Sequence, residues 1–449
     1  MKLTKTFKAF FESEKAGGLL LLFVTILSLS LANSSIQTDY IAFWKTPLGH
    51  HTITDWINDG LMAIFFLMIG LELEREIYDG ELANIKNAAL PIFGALGGMV
   101  VPAGIFLALN FGTITQNGAG IPMATDIAFA IGILSLLGNK VPASLKIFLT
   151  ALAVIDDLGA IIVIAVFYTD SIAFLNLFYA LVIWGFLFIL NRRKVHNLIP
   201  YLLGGIGMWY FMLNSGIHAT ITGVILAFVI PFGDGGPQTS SYRLQHFLHN
   251  PVAFFILPLF AIANTGIPIT GDWHEGLSHE NSIGIIAGLV IGKPLGIWLF
   301  SFLAVTFGVC ALPKELRWKD IVGAGMLGGI GFTMSIFITL LAFKNDGEEI
   351  INYSKIAILI ASFLAVTFGV CALPKELRWK DIIGAGMLGG IGFTMSIFIT
   401  LLAFKNDGEE IINYSKIAIL IASFLAGTLG FIWLKINLKA KKTKKKKEV

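Results

Sequence analysis

The sequence predicts an all-α polytopic membrane protein, and three observations carry that expectation. Of 449 residues, 56% are apolar and only 14% charged, against roughly a quarter charged in an average soluble domain. Long charge-free runs recur along the chain, and the mean hydropathy is +0.79, so the bilayer is the relevant solvent. Well inside those runs the polar exceptions are few: acids, one lysine and clusters of glycine. A water-soluble protein is excluded on this composition.

Runs long enough to cross about 30 Å of hydrocarbon fall near residues 14–33, 59–76, 88–112, 120–138, 143–168, 171–190, 197–214, 216–232, 251–270, 283–311, 320–343, 352–372, 381–404 and 413–436, fourteen in all. The first has two readings. Lys2, Lys5 and Lys8 ahead of an apolar stretch ending Ser30-Leu-Ala-Asn fit a signal peptide, and equally basic starts orient retained first helices. Lys and Arg collect in alternate connections: the N-terminus, Arg192-Arg193-Lys194, Arg243, Lys314 to Lys319, Lys375 to Lys380 and the tail. The opposite loops hold Asp272 to Glu280 and Asp346 to Glu349. Both termini are therefore expected in the cytoplasm. From Lys435 onward eight Lys and one Glu contribute +7, so the rest of the +3 chain sums to −4. A basic tail over 435–449 suits anionic lipid at a cytoplasmic membrane face better than nucleic acid.

The chain contains one internal repeat. Residues 301–361 recur as 362–422, the 61-residue copies differing only where Val322 becomes Ile383. Near-identity points to a recent tandem duplication, whereas a solenoid shows several diverged units. The two cysteines, Cys310 and Cys371, are copies of one position, so no disulfide framework is implied. The repeat contains two spans, which preserves the parity of the topology. The whole, 1–449, reads as a single transmembrane domain with a doubled segment.

A charge near the middle of a membrane helix costs roughly 2.5–3.5 kcal/mol, and four together on the order of 10–14 kcal/mol. The four are Asp126, the adjacent Asp156 and Asp157, and Lys293. Structural ion pairing between helices is one explanation. Yet three carboxylates face one lysine, and successive helical residues point about 100° apart, so Asp156 and Asp157 cannot both face the same partner squarely. An uncompensated acid remains. Burial and a neighbouring lysine act in opposite senses on a carboxyl group, so such a cluster can exchange protons and titrate as a unit. Deprotonated, its oxygens suit a small hard cation, and proton and metal ion then compete for one place.

Backbone supplies a second signal. Gly118-Ala-Gly-Ile-Pro-Met-Ala-Thr-Asp in the fourth run and Gly323-Ala-Gly-Met-Leu-Gly-Gly-Ile-Gly-Phe-Thr-Met-Ser in the eleventh read as interrupted helices. Close glycine-mediated packing explains the eleventh equally well on its own; beside an intramembrane Thr125-Asp126, interruption is the better reading, because broken helices turn dipoles and free carbonyls toward an ion. Glu72, Glu74, Arg75 and Glu76 close the second run as an acidic funnel or as ordinary interfacial charge. His218 opens the eighth run, and His246 and His249 are expected in or beside a cytoplasmic loop. They suit pH sensing, though single histidines are commonly passive. No zinc-type spacing accompanies them, and no phosphate-loop ending follows the glycines.

At these residues the chain resembles the NhaA family of bacterial sodium/proton antiporters, which are inverted-repeat transporters with discontinuous helices. The motifs are Trp56-Ile-Asn-Asp, Phe65-Phe-Leu-Met-Ile-Gly-Leu-Glu, Ala124-Thr-Asp-Ile-Ala-Phe-Ala, Leu145-Lys-Ile-Phe-Leu, Ile155-Asp-Asp-Leu-Gly-Ala-Ile, Gly216-Ile-His-Ala-Thr, Ile291-Gly-Lys-Pro-Leu-Gly and Gly329-Ile-Gly-Phe-Thr-Met-Ser, within a resemblance running from about Phe7 to Ile436. It implies electrogenic exchange of sodium or lithium for protons in a bacterial inner membrane, by a transporter rather than an enzyme and with no cofactor beyond the transported ions. Asp156 and Asp157 would be the pair that transiently binds cation and proton, Thr125 and Asp126 would sit where two extended chains cross, and Lys293 would be the ionisable partner. Glu72, Glu76, His218, Arg243 and His246 look like the family's pH-response region. Membrane lipid is an expected partner, and a homodimer is one assembly open to it.

Three departures stand out. Gln245 stands where some members carry an acid, and Glu74 where some carry a base. The family pattern has twelve spans and this chain fourteen, so either eleventh-span copy, with Thr333 or Thr394, can cross the fourth. Two other function classes fit a membrane chain with buried acids. An intramembrane aspartyl protease needs its two acids on separate helices, which adjacent Asp156 and Asp157 fit poorly. A passive cation channel differs in lacking counter-ion dependence.

Overall fold

A computed structural model describes residues 5–83, 85–136, 142–168, 172–268, 273–313, 315–344 and 346–372. They fall within one compact unit, Met1–Pro268 with Asp272–Leu373; a second unit is Ile269–Gly271 with Pro374–Val449. Residues 373–449, including most of the second copy, Thr394, the last two apolar runs and the basic tail, lie outside the described residues.

Helix follows apolar content almost everywhere, because in lipid each backbone group has to be satisfied within its own segment. Helices α1 (Lys5–Ala32) and α2 (Gln37–Trp44) meet at a sharp bend of 120°. A small antiparallel hairpin, β1 (Pro47–Leu48) with β2 (His51–Thr52), leads into α3 (Ile53–Asp55), a π-turn over Trp56–Leu61, and α4 (Met62–Tyr78). Thr52 and Asp55 form a capping box at the start of this span. Next come α5 (Ile85–Asn110), a 3-10 segment Gln116–Met123, α6 (Ile127–Leu136), α7 (Ala143–Phe167), α8 (Phe174–Arg192), α9 (Ile199–Leu213) and α10 (Ile221–Ala227). The chain continues through α11 (Ser240–Pro251), a π-turn Val252–Ile256, α12 (Leu257–Asn264), α13 (Trp273–Ser278), α14 (Glu280–Ala287), a π-turn Gly288–Gly292 and α15 (Lys293–Thr306). Helices α16 (Trp318–Gly328), α17 (Phe332–Ala342) and α18 (Glu348–Ala372) complete the described fold.

Among the described residues seven continuous helices are long and apolar enough to cross a membrane, and two bent pairs raise the number to nine. The run at 120–138 is interrupted, as its Gly118 to Asp126 segment predicted: Pro122 lies within a 3-10 segment, Ala124 is extended, and the α-helix restarts at Ile127. The run at 216–232 differs from its expected form and supplies only the seven-residue α10, flanked by left-handed Gly216 and Gly233. Hydropathy counts apolar side chains and is blind to such a break. The last two π-turns have a local cause. Pro258 and Pro294 lie just beyond them and cannot donate to the preceding turn, so the hydrogen-bond ladder slips by one residue.

The core assembles by close approach. A Cβ at Gly97 would stand 2.1 Å from the Gly296 carbonyl oxygen, and one at Gly296 the same distance from the Gly97 carbonyl. Only glycine lets α5 and α15 touch backbone to backbone. That contact sets the depth at which Lys293, one turn before Gly296, enters the bundle.

Candidate ion site

Asp156 and Asp157 are neighbours on α7, and helical geometry sends their side chains to different surroundings. Asp156 finds the lysine: its Oδ2 lies 2.7 Å from Lys293 Nζ, with both side chains wholly buried. Lys293 also donates to the Met123 carbonyl. The Thr125 hydroxyl stands 2.7 Å from Asp156 Oδ2 and 2.8 Å from the Gly328 carbonyl oxygen, so its single proton chooses between them. Asp157 has no such company. It is 0% exposed, and among the described residues neither of its carboxylate oxygens, nor Asp156 Oδ1, has a hydrogen-bond partner. A buried acceptor without a donor is costly unless a proton or a cation completes it.

The two interrupted spans cross beside this pair. The Asp126 amide donates to the Ile330 carbonyl, 2.7 Å, in the break between α16 and α17, whose axes are bent by 50°. The Asp126 carboxylate serves two half-helix starts at once: Oδ1 accepts from the Phe129 amide of α6, 2.9 Å, and Oδ2 accepts the Thr333 amide of α17, 3.1 Å, together with the Thr333 hydroxyl. One carboxyl group thus faces the N-terminal, positive ends of two helices. Ser335 fastens the crossing again by donating to the Ile121 carbonyl, 2.7 Å. Asp126 and Asp157 are therefore unlike in situation. The first has its oxygens occupied by protein donors and the second has both oxygens bare.

Thr333, in the first copy, meets Asp126; Thr394 lies outside the described residues. Glu72 and His249 both line a cavity that also touches Phe65, Met68 and Ala128. Half-buried Glu76 lies one turn beyond Glu72. Arg243 and His246 are exposed on α11, with His246 stacked 6.1 Å from Tyr242. His246 and His249 were expected in or beside a loop; both lie inside the helix, which Thr239 caps and which begins eleven residues before the apolar run near 251. Its first turns are polar, so hydropathy missed them. Two further contacts join this end of the bundle: Ser241 donates to Glu74, 3.1 Å, and the Arg75 guanidinium lies 5.0 Å over the Tyr242 ring.

His218 lies elsewhere. Helix α10 runs alongside α4 in the same direction, with Gly223 against Ala63 and Leu67, and Ala227 against Gly70. His218, ahead of α10, is therefore at the level of the Trp56–Leu61 π-turn, away from Glu72 and Glu76. Sequence reasoning assigned no role to Ser335, the Met123 carbonyl or the Gly328 carbonyl. Ser335 stood at the end of a quoted motif, but backbone acceptors leave no trace in side-chain identity.

Buried acids at the crossing of two interrupted spans, within a bundle of apolar helices, define a multi-pass membrane protein of the discontinuous-helix transporter class. The chain belongs to the Na+/H+ antiporter 1 family, whose model matches residues 8–373 and, a second time, residues 361–434. It is 77% identical over 365 residues to Na(+)/H(+) antiporter NhaA 1 of Flavobacterium johnsoniae, covering 81% of this chain and 95% of the relative. It is 65% identical over 378 residues to the NhaA antiporter of Flavobacterium psychrophilum (84% and 98% covered). Against the NhaA antiporter of an Escherichia coli strain the identity is 46% over 379 residues (82% and 98%).

Proposed function

We infer that this chain exchanges sodium for protons, the two competing for Asp157 with the Asp156–Lys293 pair beside it. One observation carries the reading: a fully buried carboxylate, Asp157, with no donor on either oxygen among the described residues, next to an acid that a lysine already pairs with. Such a group holds a proton or a cation in turn, and loses one when it takes the other. Lys293 pairs with Asp156 and fixes it in place, while Thr125 and the carbonyls freed at the crossing supply neutral oxygens of the kind a hard cation accepts. Asp126 neutralises the two half-helix ends.

The finer points belong to the same proposal. Lithium is a second cargo, and the exchange is electrogenic, more protons moving than metal ions: beyond the proton traded at Asp157, a second comes from the Asp156–Lys293 pair. The alternation of basic and acidic loops supports an inner-membrane protein with both termini in the cytoplasm. Exposed apolar side chains on α8, such as Phe174, Leu175 and Phe178, are a lipid-facing surface. The family resemblance supports a homodimer, which the mass of the detergent-solubilised particle tests. Glu72, Glu76, Arg243 and His246 are assigned to pH response, and His218, which precedes α10, is separate from them.

Everted vesicles provide the test. A sodium pulse should release protons from acidified vesicles, with a rate that saturates and requires the counter-ion, which a passive channel does not show. Competition sets the sign of the pH dependence: the apparent KM for sodium falls as pH rises, by up to about tenfold per pH unit for each proton displaced. Asp157→Asn should abolish exchange in a correctly inserted protein; unchanged exchange in that variant would overturn the site.

A further inference from the structure

We propose that Ser362, the first residue of the second copy, is a positioning residue of the ion site, which it reaches through the start of α17. Helix α18 is a hybrid. Its first part, to Ala361, ends the first copy, and from Ser362 it repeats the sequence that begins α15's last turns at Ser301. Ser362 is 6% exposed, and its hydroxyl oxygen accepts the Phe332 amide at 3.2 Å. That amide is the first of α17 and has no partner within its own helix. The next amide, Thr333, is the one that donates to Asp126. Two successive N–H groups at one half-helix start are thus divided between two acceptors, a neutral hydroxyl on α18 and the carboxylate at the crossing. Without the hydroxyl, the Phe332 amide is left unsatisfied or turns toward the carboxylate that Thr333 holds, and α17 shifts against Asp126 in either case.

The hybrid helix performs this task because the duplication joined like to like. Ser362, Ala365 and Gly369 are buried at spacings of three and four residues on one helix face. The same residues stand at the same spacing in Ser423, Ala426 and Gly430, beyond the second copy. Up to Gly369 the sequences differ at Val366 against Gly427 and at Phe368 against Leu429; Val366 is half-buried and Phe368 is 46% exposed. The family model independently finds a nearly full-length match ending at residue 373, one residue past the end of α18. On this account the closing helix of the site is α18.

The inference rests on the sodium/proton reading for its kinetic test, and the same serine occurring at three places supplies the controls. In the full chain, Ser362→Ala should raise the apparent KM for sodium roughly three- to tenfold, the scale of one buried hydrogen bond, with kcat within about twofold. Ser362→Thr, which keeps the hydroxyl, should restore the wild-type KM, and Ser423→Ala should leave it unchanged. In a chain lacking residues 362–422, Ser423 follows Ala361 directly, and Ser423→Ala should then acquire the KM effect. An unchanged KM in Ser362→Ala, or an equal rise in Ser423→Ala of the full chain, would overturn the proposal. A wild-type chain without sodium-dependent proton flux would defeat the transport reading instead. The placement of Ser362 is then decided by melting temperature in detergent, which Ser362→Ala should lower and Ser423→Ala should not; equal values would refute it.

Discussion

Residues 301–311 and 362–372 have the same sequence, Ser-Phe-Leu-Ala-Val-Thr-Phe-Gly-Val-Cys-Ala, and both are followed by Leu-Pro. They do not have the same structure. In the first, helix α15 stops at Thr306, and Gly308 adopts φ +73. The Val309 amide reaches back to Ala304 and the Gly308 amide to Val305, at 2.9 and 3.0 Å, which is a Schellman ending with glycine in its usual left-handed place. In the second, α18 runs on to Ala372 with Gly369 inside it. The surroundings differ in the way that matters. Nothing lies within 4 Å of a Cβ placed on Gly308, whereas one on Gly369 would be 2.8 Å from Leu327 Cδ2. Where the glycine is free it ends the helix, and where α18 lies against α16 the packing keeps the helix going.

The serines show the same divergence. Ser301 is fully buried with no hydrogen-bond partner for its hydroxyl among the described residues, while Ser362 holds the start of α17. A stop signal and a polar side chain are thus offers that the neighbouring helices accept or refuse. Identical sequence carries identical propensity, and tertiary contact decides between outcomes that differ by about 1 kcal/mol.

The comparison between copies can be broken most decisively at the crossing. Thr333→Val removes a hydroxyl bonded to a buried carboxylate, worth about 1.5–3 kcal/mol, and should weaken sodium affinity by roughly ten- to a hundredfold. Thr394→Val should do nothing measurable, and a matching loss there would show that the second copy supplies the crossing. Gly369→Ala comes next. Its added methyl meets Leu327, and overpacking of this kind costs about 1–3 kcal/mol, seen as a lower melting temperature. Gly308→Ala should cost less, about 1 kcal/mol from the left-handed backbone alone, with transport unaffected; a larger loss than at Gly369 would reverse the proposed order. The smallest effect is expected from removing residues 362–422 altogether. The shortened chain should retain the sodium KM and kcat of the full chain within about twofold, and loss of exchange in a properly inserted protein would show that the surplus copy is needed.

Much of the site was legible without coordinates. Asp126, Asp156, Asp157 and Lys293 stand out because a charge within an apolar run is expensive wherever the helix packs. The excess of acids over lysines showed that one carboxylate would go unanswered, and the spacing of Asp156 and Asp157 showed that they would not share a partner squarely. Which of them receives Lys293 was not legible, since it depends on the rotation of α7 against α15 and on the Gly97–Gly296 contact. Nor was the separation of His218 from Glu72, because the direction of the short α10 beside α4 is a matter of packing. The helix carrying His246 and His249 was hidden by its polar first turns, and Ser362 was invisible because its partner is a backbone amide.

Insertion into lipid is charged residue by residue, so the sequence by itself determined that the chain is a multi-pass membrane protein, which side chains are out of place in its apolar runs and that 61 residues are doubled. The three-dimensional arrangement alone decided that Thr333 meets Asp126, that Asp157 is the acid left bare, and that one eleven-residue stretch ends a helix while its twin prolongs one. Those choices turn on contacts between residues far apart in the chain, where steric fit and hydrogen-bond satisfaction, rather than local preference, select among conformations of nearly equal intrinsic energy.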